Sequence, residues 1–188
     1  MALDSTTPRN PYAAPTAAVA DVVDAANARL AFFPVGRTKL ALMSLATFGL
    51  YEVFWFYKNW KSAQRLDSTH VNVPLRVLFL PLTAYSLFQR IERHLEPTQI
   101  KISPPPGVLA LSVFVLAGLT RLPDPYWLVA LLGFLPLLPI QAAVNEHNRR
   151  IAPGADSNDG FSAWNIVGLV VGGTLFVASI AGLFIGDA

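Results

Sequence analysis

The sequence predicts an all-α integral membrane protein, a bundle of about five transmembrane helices. The 188-residue chain has a mean hydropathy of +0.45, with 53% apolar and only 14% charged residues. Ordinary soluble domains carry about 25% charged residues. The same balance excludes a disordered chain, which needs low hydrophobicity, and a nucleic-acid-binding module, which needs a dense basic patch. The absence of cysteine excludes disulfides and thiolate chemistry.

The first 35 residues are predicted to be a cytoplasmic tail that precedes the membrane domain. Residues 1–15 are rich in Ser, Thr, Pro and Asn, which is typical of a flexible segment. Residues 16–30 are rich in Ala and Val with interspersed charges. They are interpreted either as a short helix on the bundle or membrane surface or as a weakly ordered linker. No cleavable signal peptide is evident, since residues 1–30 lack a compact apolar core behind a basic start.

Residues 36–186 are predicted to form the transmembrane domain, because a helix needs about 20 mostly apolar residues to cross a bilayer. The predicted spans are residues 40–57, 73–91, 104–122, 126–144 and 161–185. The second span contains Arg76, which can extend to the headgroups, and Pro81, which a helix bundle tolerates. The third span begins in three prolines, so it either crosses the membrane or is short and re-entrant.

The distribution of Lys and Arg predicts the orientation, because these residues favour cytoplasmic loops. With the N-terminus inside, the tail and the second and fourth loops carry more basic residues than the first and third loops. We therefore predict a cytoplasmic N-terminus and a periplasmic C-terminus.

An aromatic segment at residues 47–61 is the densest local feature of the sequence. An aromatic belt followed by basic anchors is typical of a membrane interface. The candidate interface or lipid anchors are Tyr51, Trp55, Tyr57, Lys58, Trp60 and Lys61. The alternative is a ligand or lipid site framed by rings, in which the two lysines hold an anionic headgroup.

The same segment carries a recognisable pattern, Thr-x-Gly-x-Tyr followed by Trp-x-Tyr-Lys-x-Trp. Its residues are Thr47, Gly49, Tyr51, Trp55, Tyr57, Lys58 and Trp60. The pattern resembles small uncharacterised bacterial multi-pass inner-membrane proteins. The Asn-Pro-Tyr tail at residues 10–15 is similar to tails that precede membrane bundles in several bacterial groups. The resemblance implies a bacterial inner membrane and brings no activity, ligand or catalytic residue.

Two polar residues lie inside predicted spans and are candidates for an intramembrane site. Glu52 lies in the first span, six residues before Lys58, and Asn165 lies in the fifth. A carboxylate at such a position is costly and therefore a functional candidate, able to carry a proton, bind a cation or pair with a basic residue. The alternatives are a hydrated carboxylate near the headgroups, or a protonated one bonded to Tyr or Asn.

A stripe of small residues follows one side of the fifth predicted span. Together with Asn165, the residues Gly168, Gly172, Ser179, Gly182 and Gly186 fall within about 100° of one another around the helix. Such stripes let helix backbones approach closely in lipid. They predict packing within the bundle or, alternatively, a homodimer seam or a docking face for another membrane protein.

Two predicted spans end in charged turns, at residues 89–96 and 141–150. In the second turn Gln141, Asn145 and Asn148 share one helix face, and Glu146 is spaced to pair with Arg149 and Arg150. Both turns are interpreted as solvated cytoplasmic helix ends. The alternative is a charged crown that docks a partner or lipid headgroups.

Catalytic motifs are absent from the sequence. The three histidines lie in separate segments, and neither a nucleophile elbow nor a phosphate-binding loop occurs. We therefore predict no enzyme activity, no cofactor, no metal site and no nucleic-acid partner. The predicted function is that of a scaffold, accessory subunit or envelope factor in the lipid bilayer, acting through contacts with itself or another membrane protein. The alternative is a small-solute or ion transporter or channel component that uses Glu52.

Overall fold

The computed structural model describes residues 16–185, which are helical and contain no strand, as the predicted all-α class requires. The α-helices are α1 (Thr16–Asn27), α2 (Arg37–Ala46), α3 (Leu50–Leu66), α4 (Val73–Leu78), α5 (Leu80–Leu95), α6 (Pro106–Leu119), α7 (Leu137–Ile151) and α8 (Ala163–Ile185). Short 3₁₀ segments cover Glu96–Thr98 and Tyr126–Phe134. The predicted flexible tail over residues 1–15, with its Asn-Pro-Tyr pattern, and Gly186 lie outside the described residues.

The first predicted span is interrupted at residues 47–49, where α2 ends and α3 begins. Phe48 and Gly49 have φ angles of 50° and 85°, in the left-handed region, so a right-handed helix cannot continue through them. The Gly49 N–H donates to the Ser44 carbonyl at 2.8 Å, and the Phe48 N–H donates to the Leu45 carbonyl at 3.2 Å. These two bonds form a Schellman motif, which satisfies the last carbonyls of α2.

Thr47 connects the two helices at this break. Its hydroxyl donates to the Met43 carbonyl of α2 at 2.7 Å and accepts the Tyr51 N–H of α3 at 3.0 Å. The Thr-x-Gly-x-Tyr part of the sequence pattern is therefore a helix–helix joint. Thr47 bonds to both helices, Gly49 adopts a positive φ, and Tyr51 lies in the first turn of α3.

The second predicted span is also interrupted, between α4 and α5. The break is at Phe79, whose φ of −100° and ψ of 40° are not helical. Pro81 then lies in the first turn of α5, where a missing N–H costs no helical hydrogen bond. Pro81 therefore helps to start a new helix and does not kink a continuous one.

These breaks fold the chain into three helical hairpins: hairpin 1 (α2–α3), hairpin 2 (α4–α5) and hairpin 3 (α6, the 3₁₀ segment Tyr126–Phe134 and α7). In each hairpin, a residue of the second arm contacts a residue that precedes the first arm. In hairpin 1 the Phe33 N–H donates to Asn59 Oδ1 at 3.3 Å, and in hairpin 2 Asp67 pairs with Arg90. In hairpin 3 Arg150 Nη1 donates to the Thr98 carbonyl at 2.8 Å.

The open ends of the three hairpins meet at one end of the bundle, which we call the basic end. There Arg65 donates to the Leu30 carbonyl at 2.6 Å, and Asn148 donates to the Phe32 carbonyl at 2.9 Å. Within residues 16–185, the Lys and Arg residues belong to segments at or near this end, except Arg121 in the turn of hairpin 3 and Arg76 in the last turn of α4. The basic residues are therefore distributed more unevenly than the sequence analysis predicted.

This arrangement corrects the predicted alternation of five spans. Alternating spans would place the loop after the first span and the loop after the second on opposite sides of a membrane. Asp67 follows the first predicted span, yet it contacts Arg90 and His94 at the end of the second. The left-handed residues at 48 and 49 explain the difference, because they end α2 and the chain then returns to the basic end as α3.

Two stretches are long and apolar enough to cross a membrane by length and composition. They are Tyr126–Ile151, with a hydropathy of 2.0, and Ala163–Gly182, with a hydropathy of 1.8. They correspond to the fourth and fifth predicted spans. Within Ala163–Gly182 only Gly172 is buried, whereas the core helix of a soluble protein is mostly buried. The third predicted span contains only the shorter apolar helix α6.

An extended segment at residues 31–35, which we call the strap, is held against α7 by a ladder of amide side chains. Gln141 donates to the Phe33 carbonyl at 3.2 Å, and Asn145 donates to the Val35 carbonyl at 2.8 Å. Asn148 completes the ladder at the basic end. The sequence predicted that these three residues share one helix face. The structure shows that this face binds the backbone of the strap, which has no helical hydrogen bonds of its own.

Candidate functional site

The tips of the three hairpins surround a cavity of about 280 Å³. Tip 1 contributes Phe48 and Gly49, tip 2 contributes Leu80, and tip 3 contributes Thr120 and Trp127. The rest of the lining comes from Glu52, Val113, Ala117, Ala130, Leu131 and Gly133. The cavity exists only because the three hairpins point the same way, so we call it the tip cavity and treat it as the candidate site.

Glu52 is the only acidic residue in the lining of the tip cavity. It lies in the first turn of α3, where the positive end of the helix dipole favours a negative charge. The structure describes no hydrogen bond or ion pair to its carboxylate within residues 16–185. The carboxylate that the sequence identified as a candidate is therefore unpaired among the described residues and faces an apolar cavity.

Gly133 provides the space that the Glu52 carboxylate occupies. A Cβ atom added at position 133 would lie 2.9 Å from one carboxylate oxygen and 3.3 Å from the other. Any side chain there would displace the carboxylate. Sequence analysis did not identify Gly133, because no local pattern relates it to a residue 81 positions earlier.

Trp127 is held at the cavity by its own tip. Its indole N–H donates to Asp124 Oδ1 at 2.7 Å, three residues earlier in the same turn. The indole nitrogen is therefore bonded within tip 3, and the side chain contributes to the cavity lining. The rings of Trp127 and Phe48 are the two aromatic groups of that lining.

The chemistry of the tip cavity is that of one carboxylate in a mostly apolar lining. Such a group attracts a proton or a cation and repels anions. Residues 16–185 contain no group of three or more His, Cys, Asp or Glu side chains that could hold a metal ion together.

Asn165, the second predicted intramembrane polar residue, does not join Glu52. Its Oδ1 accepts from the Ser162 N–H at 3.1 Å and from the Ser162 hydroxyl at 3.0 Å, at the start of α8. It is absent from the lining of the tip cavity. Asn165 therefore stabilises the beginning of α8.

Three of the predicted interface anchors lie in the core instead of at an interface. Trp55 and Trp60 are fully buried and Tyr51 is nearly so. The Trp55 indole donates to Gln141 Oε1 at 2.5 Å, which ties α3 to the amide ladder of α7. These rings pack hairpins together, so the anchor interpretation is corrected for them.

The other three predicted anchors remain accessible. Lys58 and Lys61 are exposed, and Tyr57 is half-buried. The Lys58 ammonium lies 5.5 Å from the centre of the Phe54 ring, and the Lys61 ammonium lies 5.2 Å from that of Tyr57. Basic groups over aromatic rings suit a headgroup region, and these three residues stay candidates as anchors.

The small-residue stripe of α8 divides into two halves. Gly168 lies against Met43, and a Cβ at Gly172 would lie 1.9 Å from the Ala46 carbonyl oxygen, so this half packs on α2. Ser179 is exposed, and a Cβ at Gly182 would meet nothing within 4 Å. Only the second half remains open to another protein.

A charged cluster at the basic end connects hairpins 1 and 2. Asp67 accepts hydrogen bonds from Arg90 and from His94 Nε2, the latter at 2.7 Å. Burial alone would raise the pKa of Asp67, but these two partners outweigh it and hold the pKa below its ordinary value. The predicted pairs of Glu146 with Arg149 and Arg150 are confirmed, at more exposed positions.

A larger cavity of about 470 Å³ lies at the basic end, between the strap, α7 and residues 154–159. Its lining includes both bases and acids, among them Arg37, Arg149, Glu146 and Asp156. Because both charge signs are present, this cavity shows no preference for a ligand of either charge.

Comparisons with protein-family models, with curated proteins and with solved structures find no match to this chain, so no relative's activity is carried over to its tip cavity.

Proposed function

We propose that this chain is a non-catalytic multi-pass protein of a bacterial inner membrane that acts as a scaffold, accessory subunit or envelope factor through helix–helix contacts. The observation that carries the proposal is the exposure of α8. This helix packs on α2 through Gly168 and Gly172, and most of its remaining surface is apolar and exposed. A long apolar helix with one packed edge is suited to lipid and to a second helix.

The charge distribution supports the proposed orientation. Cytoplasmic segments of membrane proteins are enriched in Lys and Arg, so the basic end belongs in the cytoplasm. The tips carry exposed apolar side chains, including Leu50, Leu78 and Leu82, which belong in the hydrocarbon region. Because α8 starts near the basic end and runs toward the tips, the N-terminus is then cytoplasmic and the C-terminus periplasmic.

The open half of the α8 stripe is the proposed contact surface, and it has a matched control. Ser179→Leu and Gly182→Leu would block close approach of a second helix without touching α2. Val177 lies on the opposite side of α8 and is also exposed, so Val177→Leu adds bulk away from the stripe.

The test is crosslinking in native membranes followed by affinity purification of the chain and identification of its neighbours. We expect the parent and Val177→Leu to retain a partner, or a second copy of the chain, that Ser179→Leu and Gly182→Leu lose. Equal recovery from all four proteins would overturn the role of this surface. Recovery of the chain in the soluble fraction without detergent would overturn the membrane placement itself.

A second function, a small-solute or ion transporter or channel component, is favoured by one observation. The unpaired Glu52 carboxylate opens to the tip cavity, in a region proposed to lie within the membrane. An ionisable group at such a position is typical of substrate or ion pathways. Flux into liposomes that contain the parent or Glu52→Gln tests it: parent flux that the variant loses is expected, and equal or absent flux would remove this function.

A further inference from the structure

The Glu52 carboxylate is not needed for the helix start on which it lies. The first N–H groups of α3 are already bonded, since Tyr51 donates to the Thr47 hydroxyl and Val53 donates to the Gly49 carbonyl. A Glu in a first turn often accepts a backbone N–H there. Because other acceptors fill that role here, the carboxylate is free for a ligand.

The surroundings of this carboxylate favour one class of ligand. A charge in an apolar cavity needs a partner of opposite charge, and no Lys or Arg lines the tip cavity. The aromatic rings of Phe48 and Trp127 attract cations through their faces. The aliphatic lining from Leu80, Val113 and Leu131 excludes water and suits an apolar body.

Alternative ligands fit this cavity poorly. Metal ions of the Ca²⁺ type need six to eight oxygen ligands, and one carboxylate and the Thr120 hydroxyl are the oxygen-bearing side chains of the lining. The volume of about 280 Å³ is just below the range of about 300–1,000 Å³ for drug-sized ligands. The ligand is therefore small, cationic and partly apolar.

We propose that the tip cavity binds the ammonium group of a small amine with an alkyl or aryl body, paired with Glu52 and flanked by Phe48 and Trp127. This inference deepens the second proposed function and rests on that proposal only for the choice of the site. Amine binding can be measured without transport, so the two proposals can be tested separately. The ammonium group comes either from a free amine or from the ethanolamine headgroup of a lipid.

The experiment is calorimetric titration of the full-length protein in nanodiscs of phosphatidylcholine and phosphatidylglycerol. The probe is benzylammonium, and benzyl alcohol is its neutral counterpart. We expect saturable binding of benzylammonium alone, weakened about 10- to 100-fold in Glu52→Gln, as loss of a charged hydrogen bond implies. Glu146→Gln, at the basic end, is the matched control and should bind as the parent does. Equal binding of both probes, or equal binding by the parent and Glu52→Gln, would overturn the proposal.

A second variant keeps the proposal testable if Glu52→Gln does not fold. Ala117→Leu fills the cavity and retains the carboxylate, so benzylammonium binding should fall here as well. Unchanged binding by a folded Ala117→Leu would place the ligand outside the tip cavity and overturn the assignment.

Nanodiscs that contain phosphatidylethanolamine distinguish the two sources of the ammonium group. If the lipid headgroup occupies the cavity, benzylammonium binding weakens in these nanodiscs; if a free amine is the ligand, it is unchanged. Binding without flux would overturn the proposed transport function and support this inference. Glu52-dependent flux without benzylammonium binding would overturn this inference alone.

Discussion

Replacing Asn148 with Ala removes the last rung of the amide ladder that holds the strap on α7. The Asn148 side chain accepts the Ala31 N–H at 3.2 Å and donates to the Phe32 carbonyl at 2.9 Å. Asn148 is 4% exposed, Ala31 5% and Phe32 1%, so water does not readily replace these bonds. Each of these two buried backbone groups costs about 1–3 kcal/mol when it is left without a partner, so the expected loss of unfolding free energy is about 2–6 kcal/mol.

The assay is unfolding of the purified protein in detergent, combined with limited trypsin digestion. Arg29 and Arg37 flank the strap, and we expect faster cleavage at both sites in Asn148→Ala. Gln89→Ala is the control, because Gln89 is exposed and bonds only to Tyr85, so its change should stay within about 0.5 kcal/mol. If Asn148→Ala were as stable and as resistant to trypsin as Gln89→Ala, the ladder would not hold the strap.

Three further predictions concern stability in detergent. Asp67→Asn should be less stable than the parent at neutral pH. Because the pKa of Asp67 is lowered in the folded state, its stabilisation is complete above the unfolded-state pKa of about 4 and is lost as the pH falls from there through the folded-state pKa. In a pH series the difference should therefore shrink below about pH 4, and a constant difference would contradict this. Gly172→Ala should lose about 1–3 kcal/mol of unfolding free energy, because the added Cβ is overpacked against the Ala46 carbonyl. Gly173→Ala is the control and should lose none, because its Cβ meets nothing within 4 Å. Equal unfolding midpoints for the two variants would refute the α2–α8 contact. Gly49→Ala should lose about 1–2 kcal/mol because of its φ of 85°, and an unchanged midpoint would contradict the helix joint.

The helical class and the two longest apolar helices could be predicted from composition and hydropathy. The interruption at residues 47–49 could not, because hydropathy measures which residues are apolar and not whether their backbone stays helical. Gly49 was visible as part of a pattern, but a single glycine inside an apolar run does not predict that Phe48 also adopts a positive φ. That pair of dihedral angles turns a predicted span into a hairpin.

The candidate site was predicted in part. Glu52 could be identified because an acidic residue inside an apolar run is conspicuous. Gly133 and Trp127 come close to Glu52 only because hairpin 3 folds back toward α3. Local periodicity in the sequence cannot predict a contact between residues so far apart in the chain. The polar face of Gln141, Asn145 and Asn148 was evident from helix spacing, but its partner, the strap, lies more than 100 residues away.

The gathering of basic residues at one end affects how such a chain is assembled by a cell. In the proposed orientation each hairpin brings its flanks back to the side where the ribosome synthesised them. The turn of hairpin 3, which carries Arg121 and Asp124, lies at the end of the bundle opposite the basic end. Their opposite charges offset one another during translocation, so the insertion machinery moves one nearly neutral turn instead of a series of basic loops.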